Sequence, residues 1–167
     1  MVATAHNGFG TLVGLAVISV GQGYGLNFAT LFVLALVFGI IFHYITDLVP
    51  HGHFFPYNMG NHLFEVIGLD LFLSFFVILA LAYLKFGISQ NLILICAAVL
   101  GTQLPDVIGG LEQINKLSKK GFFKYEYIFH GEIVHWHMNS WKKGYLQVLD
   151  LWQFALYLFA LYTLWKF

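Results

Sequence analysis

The sequence predicts an all-α fold, a polytopic integral membrane bundle of about five helices with polar metal-binding loops on one face. Of the 167 residues, 59% are hydrophobic and only 10% are charged, and the mean hydropathy is +0.77. A soluble domain usually carries about 25% charged residues. The apolar residues also fall in runs that approach the roughly 20 residues of a spanning helix. We therefore expect residues 1–167 to form a single membrane domain.

Glycines, prolines and polar residues divide the apolar runs. The predicted helices cover 8–20, 26–49, 62–86, 91–104 and 147–165, with a polar segment over 106–145. Gly10 and Gly14 in the first helix allow a second helix to approach closely. Pro50 and Pro105 are expected to end the second and fourth helices, because proline removes a helical hydrogen bond.

The charge pattern argues against nucleic acid as a partner. The formal net charge is +0 and the sequence pI is about 7.1, so no basic surface is expected. The single cysteine, Cys96, excludes an intramolecular disulfide. No basic segment precedes the first apolar stretch, so we do not expect a cleaved signal peptide.

Helix parity predicts that the histidines share one face of the membrane. Two helices separate His6 from the segment after Val49, and two more separate that segment from Asp106. Six of the eight lysines fall on this same side, so the positive-inside rule places it in the cytoplasm, at the cell inner membrane.

The end of the second helix carries the strongest candidate site. His43 and Asp47 are spaced i, i+4, which puts both side chains on one face of a helix, one turn apart. His53 follows shortly after Pro50. An imidazole and a carboxylate so placed can bind a divalent metal ion, and Asp47 can bridge two. The alternative is a His–Asp hydrogen bond that ties the helix end to the loop.

Further candidates occur on the same predicted face. His62 and Glu65 open the third helix at spacing i, i+3, although an acidic residue there can also serve the helix dipole. Asp70, deeper in that helix, needs a partner. Three imidazoles and Glu132 fall within the eight residues 130–137, which favours metal or proton handling. Candidate metal ligands are thus His6, His43, Asp47, His53, His62, Glu65, His130 and His135, and candidate general bases are Asp106 and Glu132.

Four motifs resemble those of the membrane-bound metal-dependent hydrolase family, a group of small multi-helix membrane proteins. They are His43-x3-Asp47-x2-Pro50-x-Gly52, Leu104-Pro105-Asp106, His130-x4-His135 and Ala5-His6-x3-Gly10. The segment from His43 to His53 is also similar to the zinc site of zinc-dependent phospholipases C and related nucleases. That resemblance implies zinc ligands at His43, Asp47 and His53, with His62 and Glu65 as further ones.

These observations lead us to expect a zinc-dependent hydrolase acting at the membrane face on a phosphodiester or lipid-like substrate. Metal-activated water would be the nucleophile, and membrane lipid the surrounding partner. Three alternatives stay open at this point. They are a membrane di-iron oxygenase, a transporter or channel for metal ions or protons, and a non-catalytic protein with a structural zinc site.

Overall fold

The computed structural model describes residues 3–49, 63–115 and 151–167, together with Tyr125, Ile128, Phe129 and Ile133. Its helices are α1 Ala3–Tyr24, α2 Phe28–Asp47, α3 Leu63–Phe86, α4 Gln90–Asn115 and α5 Leu151–Lys166. The predicted all-α class is therefore confirmed. Three segments are long and apolar enough to cross a membrane, namely Phe28–Asp47, Gly68–Phe86 and Gln90–Ile108.

Helix α1 lies in the middle of the bundle and packs against the four other helices. The sequence predicted a shorter helix over 8–20, ended by a cluster of glycines. Instead α1 runs from Ala3 through Gly21 and Gly23 to Tyr24, and it ends at Gly25, where φ is 63°. A glycine inside a helix costs only about 1 kcal/mol relative to alanine. Packing of α1 against the other helices is therefore enough to keep Gly21 and Gly23 helical.

Glycines on α1 bring it against the backbone of α4. A Cβ added at Gly10 would lie 2.6 Å from the Cα of Val99, and one at Gly14 would lie 2.8 Å from the Cα of Ile95. No side chain fits in such a gap, so both positions need glycine. The close approach expected from this pair of small residues is confirmed.

Helices α2 and α4 cross just as closely. A Cβ at Gly39 would collide with the carbonyl oxygen of Ala98, and a Cβ at Gly101 would collide with the carbonyl oxygen of Leu36. The crossing lies one helical turn before His43. It therefore sets how near the last turn of α2 comes to α4.

The prediction that α4 ends before Pro105 is wrong, because the helix continues to Asn115 and takes in the start of the predicted polar segment. Bonds to α1 hold this part of α4 in place. The Thr102 hydroxyl donates to the His6 carbonyl at 2.9 Å, and Gln103 Nε2 donates to Asn7 Oδ1 at 2.7 Å. Proline removes one backbone hydrogen bond, and these buried contacts maintain the helix across it.

The interior around α1 has a polar half and an apolar half. Buried polar side chains on α1 belong to its first nine residues, namely Thr4, His6, Asn7 and Thr11. Buried side chains on the following turns are apolar, namely Val13, Leu15, Val17 and Ile18. They join one hydrophobic cluster with residues of α2, α3, α4 and α5. The polar groups are thus collected at one end of the described bundle.

Hydrogen bonds tie the polar half of α1 to α3, and α3 in turn to α5. The Asp70 carboxylate accepts from both the backbone N–H of Thr4, at 3.2 Å, and the Thr4 hydroxyl. Asn7 Nδ2 donates to Ser74 Oγ at 2.6 Å, and the Tyr157 hydroxyl donates to the Ser74 carbonyl at 2.9 Å. Asp70 therefore has the partner that its depth in the helix required.

We expect Gly39→Ala to destabilise the protein by about 1–3 kcal/mol, because overpacking of a tight contact forces the helices apart. Thermal unfolding in detergent, followed by circular dichroism, would measure the loss. Gly68→Ala is the matched control, since no heavy atom of the described residues lies within 4 Å of a Cβ there. Equal melting temperatures for the Gly39→Ala protein and the unsubstituted protein would contradict the close α2–α4 crossing.

Candidate metal centre

Four side chains from three helices meet at the polar end of the bundle. His6 comes from α1, His43 and Asp47 from α2, and Asp106 from α4. One donor atom from each lies within 4.8 Å of the others. The first three side chains are completely buried, whereas that of Asp106 is 40% exposed. The group is therefore enclosed on three sides and accessible on the fourth.

The inner face of α2 positions His43 and Asp47. Its buried residues include Leu31, Ala35 and Gly39, each four positions before the next, and the two site residues continue this row. Residues spaced by four lie one turn apart on the same helical face. The small residues in the row admit α4, and the last two turns then present polar side chains to the same interior.

The distances between imidazole nitrogens and carboxylate oxygens define the group. His6 Nε2 lies 3.3 Å from Asp47 Oδ1 and 3.6 Å from Asp106 Oδ2. His43 Nε2 lies 3.3 Å from Asp47 Oδ2 and 3.8 Å from Asp106 Oδ1. Hydrogen bonds from N–H to oxygen measure about 2.7–3.2 Å. All four separations are longer than that.

Such separations are those of a histidine nitrogen and a carboxylate oxygen that bind the same ion. Zinc binds nitrogen and oxygen at about 2.0–2.2 Å, and in a tetrahedral site its ligands are therefore roughly 3.3–3.6 Å apart. Three of the four distances fall in this range, and the fourth, at 3.8 Å, is close to it. The spacing of the donors therefore suits a metal ion between them.

His6 supplies a second observation that fits a metal. Its side chain is fully buried, and neither ring nitrogen has a hydrogen-bond partner among the described residues. A buried polar atom left in this state costs about 1–3 kcal/mol. A metal ion held at Nε2 would remove much of that penalty. The group of His6, His43, Asp47 and Asp106 can thus hold a metal ion.

Thr102 contacts both histidines, the ring of His43 and the backbone of His6. His43 Nδ1 lies 2.8 Å from the Thr102 carbonyl oxygen, which can only accept, so Nδ1 carries a proton and Nε2 faces the carboxylates. The Thr102 hydroxyl also binds the backbone carbonyl of His6. Thr102 was not singled out in the sequence. The available signal was its position four residues before Asp106, which puts the two residues one turn apart on the same face of a helix.

The structure brings together only some of the residues singled out in the sequence. His6, His43 and Asp47 meet as candidate ligands, and Asp106, singled out as a general base, lies at ligand distance beside them. The side chain of Glu65 lies outside the described residues, although its backbone belongs to α3. The other candidates also lie outside the described residues and remain predictions: His53, His62, His130, Glu132 and His135.

Comparison of the chain with protein-family models, with curated proteins and with solved structures found no match. The function of this chain is therefore inferred from the geometry of the four candidate ligands and from their position in the bundle.

We expect Asp47→Asn to lower metal affinity at least tenfold, because the buried carboxylate contacts both histidines and its charge offsets that of the cation. Elemental mass spectrometry of protein purified in mild detergent, with a competing chelating dye, would measure the affinity. Asp70→Asn is the matched control, since that carboxylate binds Thr4 instead. Equal metal affinity in the two variants would exclude this group as the binding site.

Proposed function

We propose that this chain is a zinc-dependent membrane hydrolase that cleaves a phosphodiester or lipid-like substrate at the membrane face. The carrying observation is the unequal exposure of the candidate ligands. Three are completely buried, and the Asp106 side chain is 40% exposed. Structural zinc sites are closed by protein ligands, whereas catalytic sites keep a position for water or substrate. Four protein donors complete a tetrahedral ion, so on a single ion water or substrate would bind as a fifth ligand from the accessible side of the group.

The donor types favour zinc among the common metals. Two imidazoles and two carboxylates make a mixed nitrogen and oxygen set, which suits zinc and other divalent transition metals. Magnesium and calcium prefer sites built from oxygen alone. We therefore propose zinc as the bound cofactor.

Hydrolysis of a phosphodiester breaks one phosphorus–oxygen bond. The oxygen of water attacks phosphorus, the ester oxygen leaves, and the proton lost by water balances the proton gained by the alcohol. A bound zinc ion lowers the pKa of its water towards about 7 and stabilises charge on the phosphoryl oxygens. In this scheme His43 is held in orientation by the Thr102 carbonyl, and Asp106 belongs to the ligands. Glu132 remains the candidate general base.

The apolar half of the interior argues against the transporter alternative. Ion passage needs polar groups through the bilayer. Beyond Thr11, the buried residues of α1 are apolar and pack into the cluster shared with the other helices. Within the described residues, no polar route continues from the donor group towards the other end of the bundle. A reaction at one face of the membrane fits this arrangement better than passage of ions through the bundle.

The position of Asp106 supports a substrate at the membrane surface. The apolar segment Gln90–Ile108 ends two residues after it. Neighbouring residues on α4, Leu104 and Val107, are exposed, as expected of a helix beside lipid. We propose that lipid head groups lie at the level of Asp106 and that this face is the cytoplasmic side of the inner membrane.

We expect Asp106→Asn to lower kcat about 100-fold or more, because loss of a ligand charge removes several kcal/mol of metal-dependent stabilisation and each 1.36 kcal/mol is tenfold. The assay is release of phosphate monoester and alcohol from bis(4-nitrophenyl) phosphate and from anionic phospholipid vesicles. Chelator should abolish the activity and added zinc should restore it.

Asp70→Asn is again the matched control and should keep its activity. Metal-loaded protein without phosphodiesterase activity on either substrate would count against the proposed hydrolysis. A parallel experiment with the protein in liposomes containing a zinc-sensitive dye separates the alternatives. Entry of zinc through the protein would favour transport instead.

A further inference from the structure

The four nitrogen–oxygen distances pair each histidine with one oxygen of each carboxylate. Asp47 directs Oδ1 to His6 and Oδ2 to His43, while Asp106 directs Oδ2 to His6 and Oδ1 to His43. Each histidine therefore faces one oxygen from each carboxylate, and each carboxylate faces both histidines. From this pattern we propose that the centre holds two metal ions, one on each histidine, bridged by Asp47 and Asp106.

The arrangement of the imidazole rings favours two ions over one ion shared by both histidines. A metal ion bound to Nε2 lies in the plane of its ring, at about 2.0–2.1 Å from the nitrogen. The rings of His6 and His43 are stacked, with their centroids 4.3 Å apart and their planes inclined by only 23°. Two such planes run side by side. The two ring planes do not intersect within one metal–nitrogen bond length of the rings, so each histidine can bind its own ion.

The spacing of the stacked rings is slightly larger than the distance between ions in a two-metal centre. Metal ions that act together in phosphatases and nucleases lie about 3.5–4 Å apart, close to the 4.3 Å between the ring centroids. A carboxylate that bridges two ions gives one oxygen to each, as the paired Oδ1 and Oδ2 contacts of Asp47 and Asp106 would.

Each ion in this centre has three protein donors, namely one imidazole nitrogen and one oxygen from each of the two carboxylates. A tetrahedral ion then retains one position for water or substrate. Water or substrate would reach these positions from the side of the partly exposed Asp106 side chain. His43 is held in this arrangement by the Thr102 carbonyl and His6 by the adjoining turn of α4.

A pair of ions narrows the class of substrate. A phosphodiester carries two non-bridging oxygens on one phosphorus, so it can contact both ions while water attacks in line with the leaving group. A carboxylic ester offers a single carbonyl oxygen and makes less use of the pair. The inference of a phosphodiester substrate relies on the metal site in the proposed function, whereas the count of two ions can be tested without any activity.

The first test is the number of ions bound by the full chain in detergent. Protein stripped with chelator is titrated with Zn²⁺, and bound metal is measured by elemental mass spectrometry after removal of excess. We expect two ions per chain. One ion per chain would overturn the two-metal proposal but leave the metal site intact, whereas no bound metal would overturn both.

The second test is the magnetic coupling between two ions in the same chain. With Mn²⁺ in place of zinc, electron paramagnetic resonance should show an exchange-coupled pair. His6→Ala and His43→Ala should each keep one Mn²⁺ and show the spectrum of an isolated ion, with helix content unchanged by circular dichroism. Uncoupled ions in the unsubstituted protein would overturn the proposal, and so would loss of both ions from each folded variant.

Discussion

The candidate site depends on the crossing of α2 and α4, where Gly39 and Gly101 bring two backbones into contact. This contact places His43 Nδ1 2.8 Å from the carbonyl oxygen of Thr102. The hydrogen bond orients the ring so that Nε2 faces the carboxylates. Because the same turn of α4 also binds the backbone of His6, the crossing aligns both histidines. A larger residue at either glycine would change the site as well as the packing.

Polar side chains inside a membrane bundle are costly unless they are paired, because lipid offers no hydrogen bonds. Around α1 the pairing is extensive. Asn7 bonds to both Ser74 and Gln103, and Thr4 bonds to Asp70. His6 stands apart from this pattern, since neither of its ring nitrogens is hydrogen-bonded within the described part of the chain. Because the polar neighbours of His6 are hydrogen-bonded and its own ring is not, metal binding is the simplest explanation for this buried ring.

Local spacing and helix parity predicted much of the arrangement, but packing decided the rest. The i, i+4 rule placed His43 beside Asp47, and the count of helices placed His6 and Asp106 on the same face. Neither rule registers what a helix packs against. The continuation of α4 through Pro105 and the function of the Thr102 carbonyl arise from contacts between helices, which no single segment encodes.

The polar first half of α1 has a consequence for how the protein is made. This segment leaves the ribosome before α3 and α4, yet its buried side chains are poorly suited to lipid until those two helices supply their hydrogen-bond partners. Helix α1 therefore reaches its final place only after later segments have entered the membrane. The donor group is then completed only when the bundle assembles. A chain interrupted during synthesis before α4 lacks Asp106 and has no complete site for a metal ion.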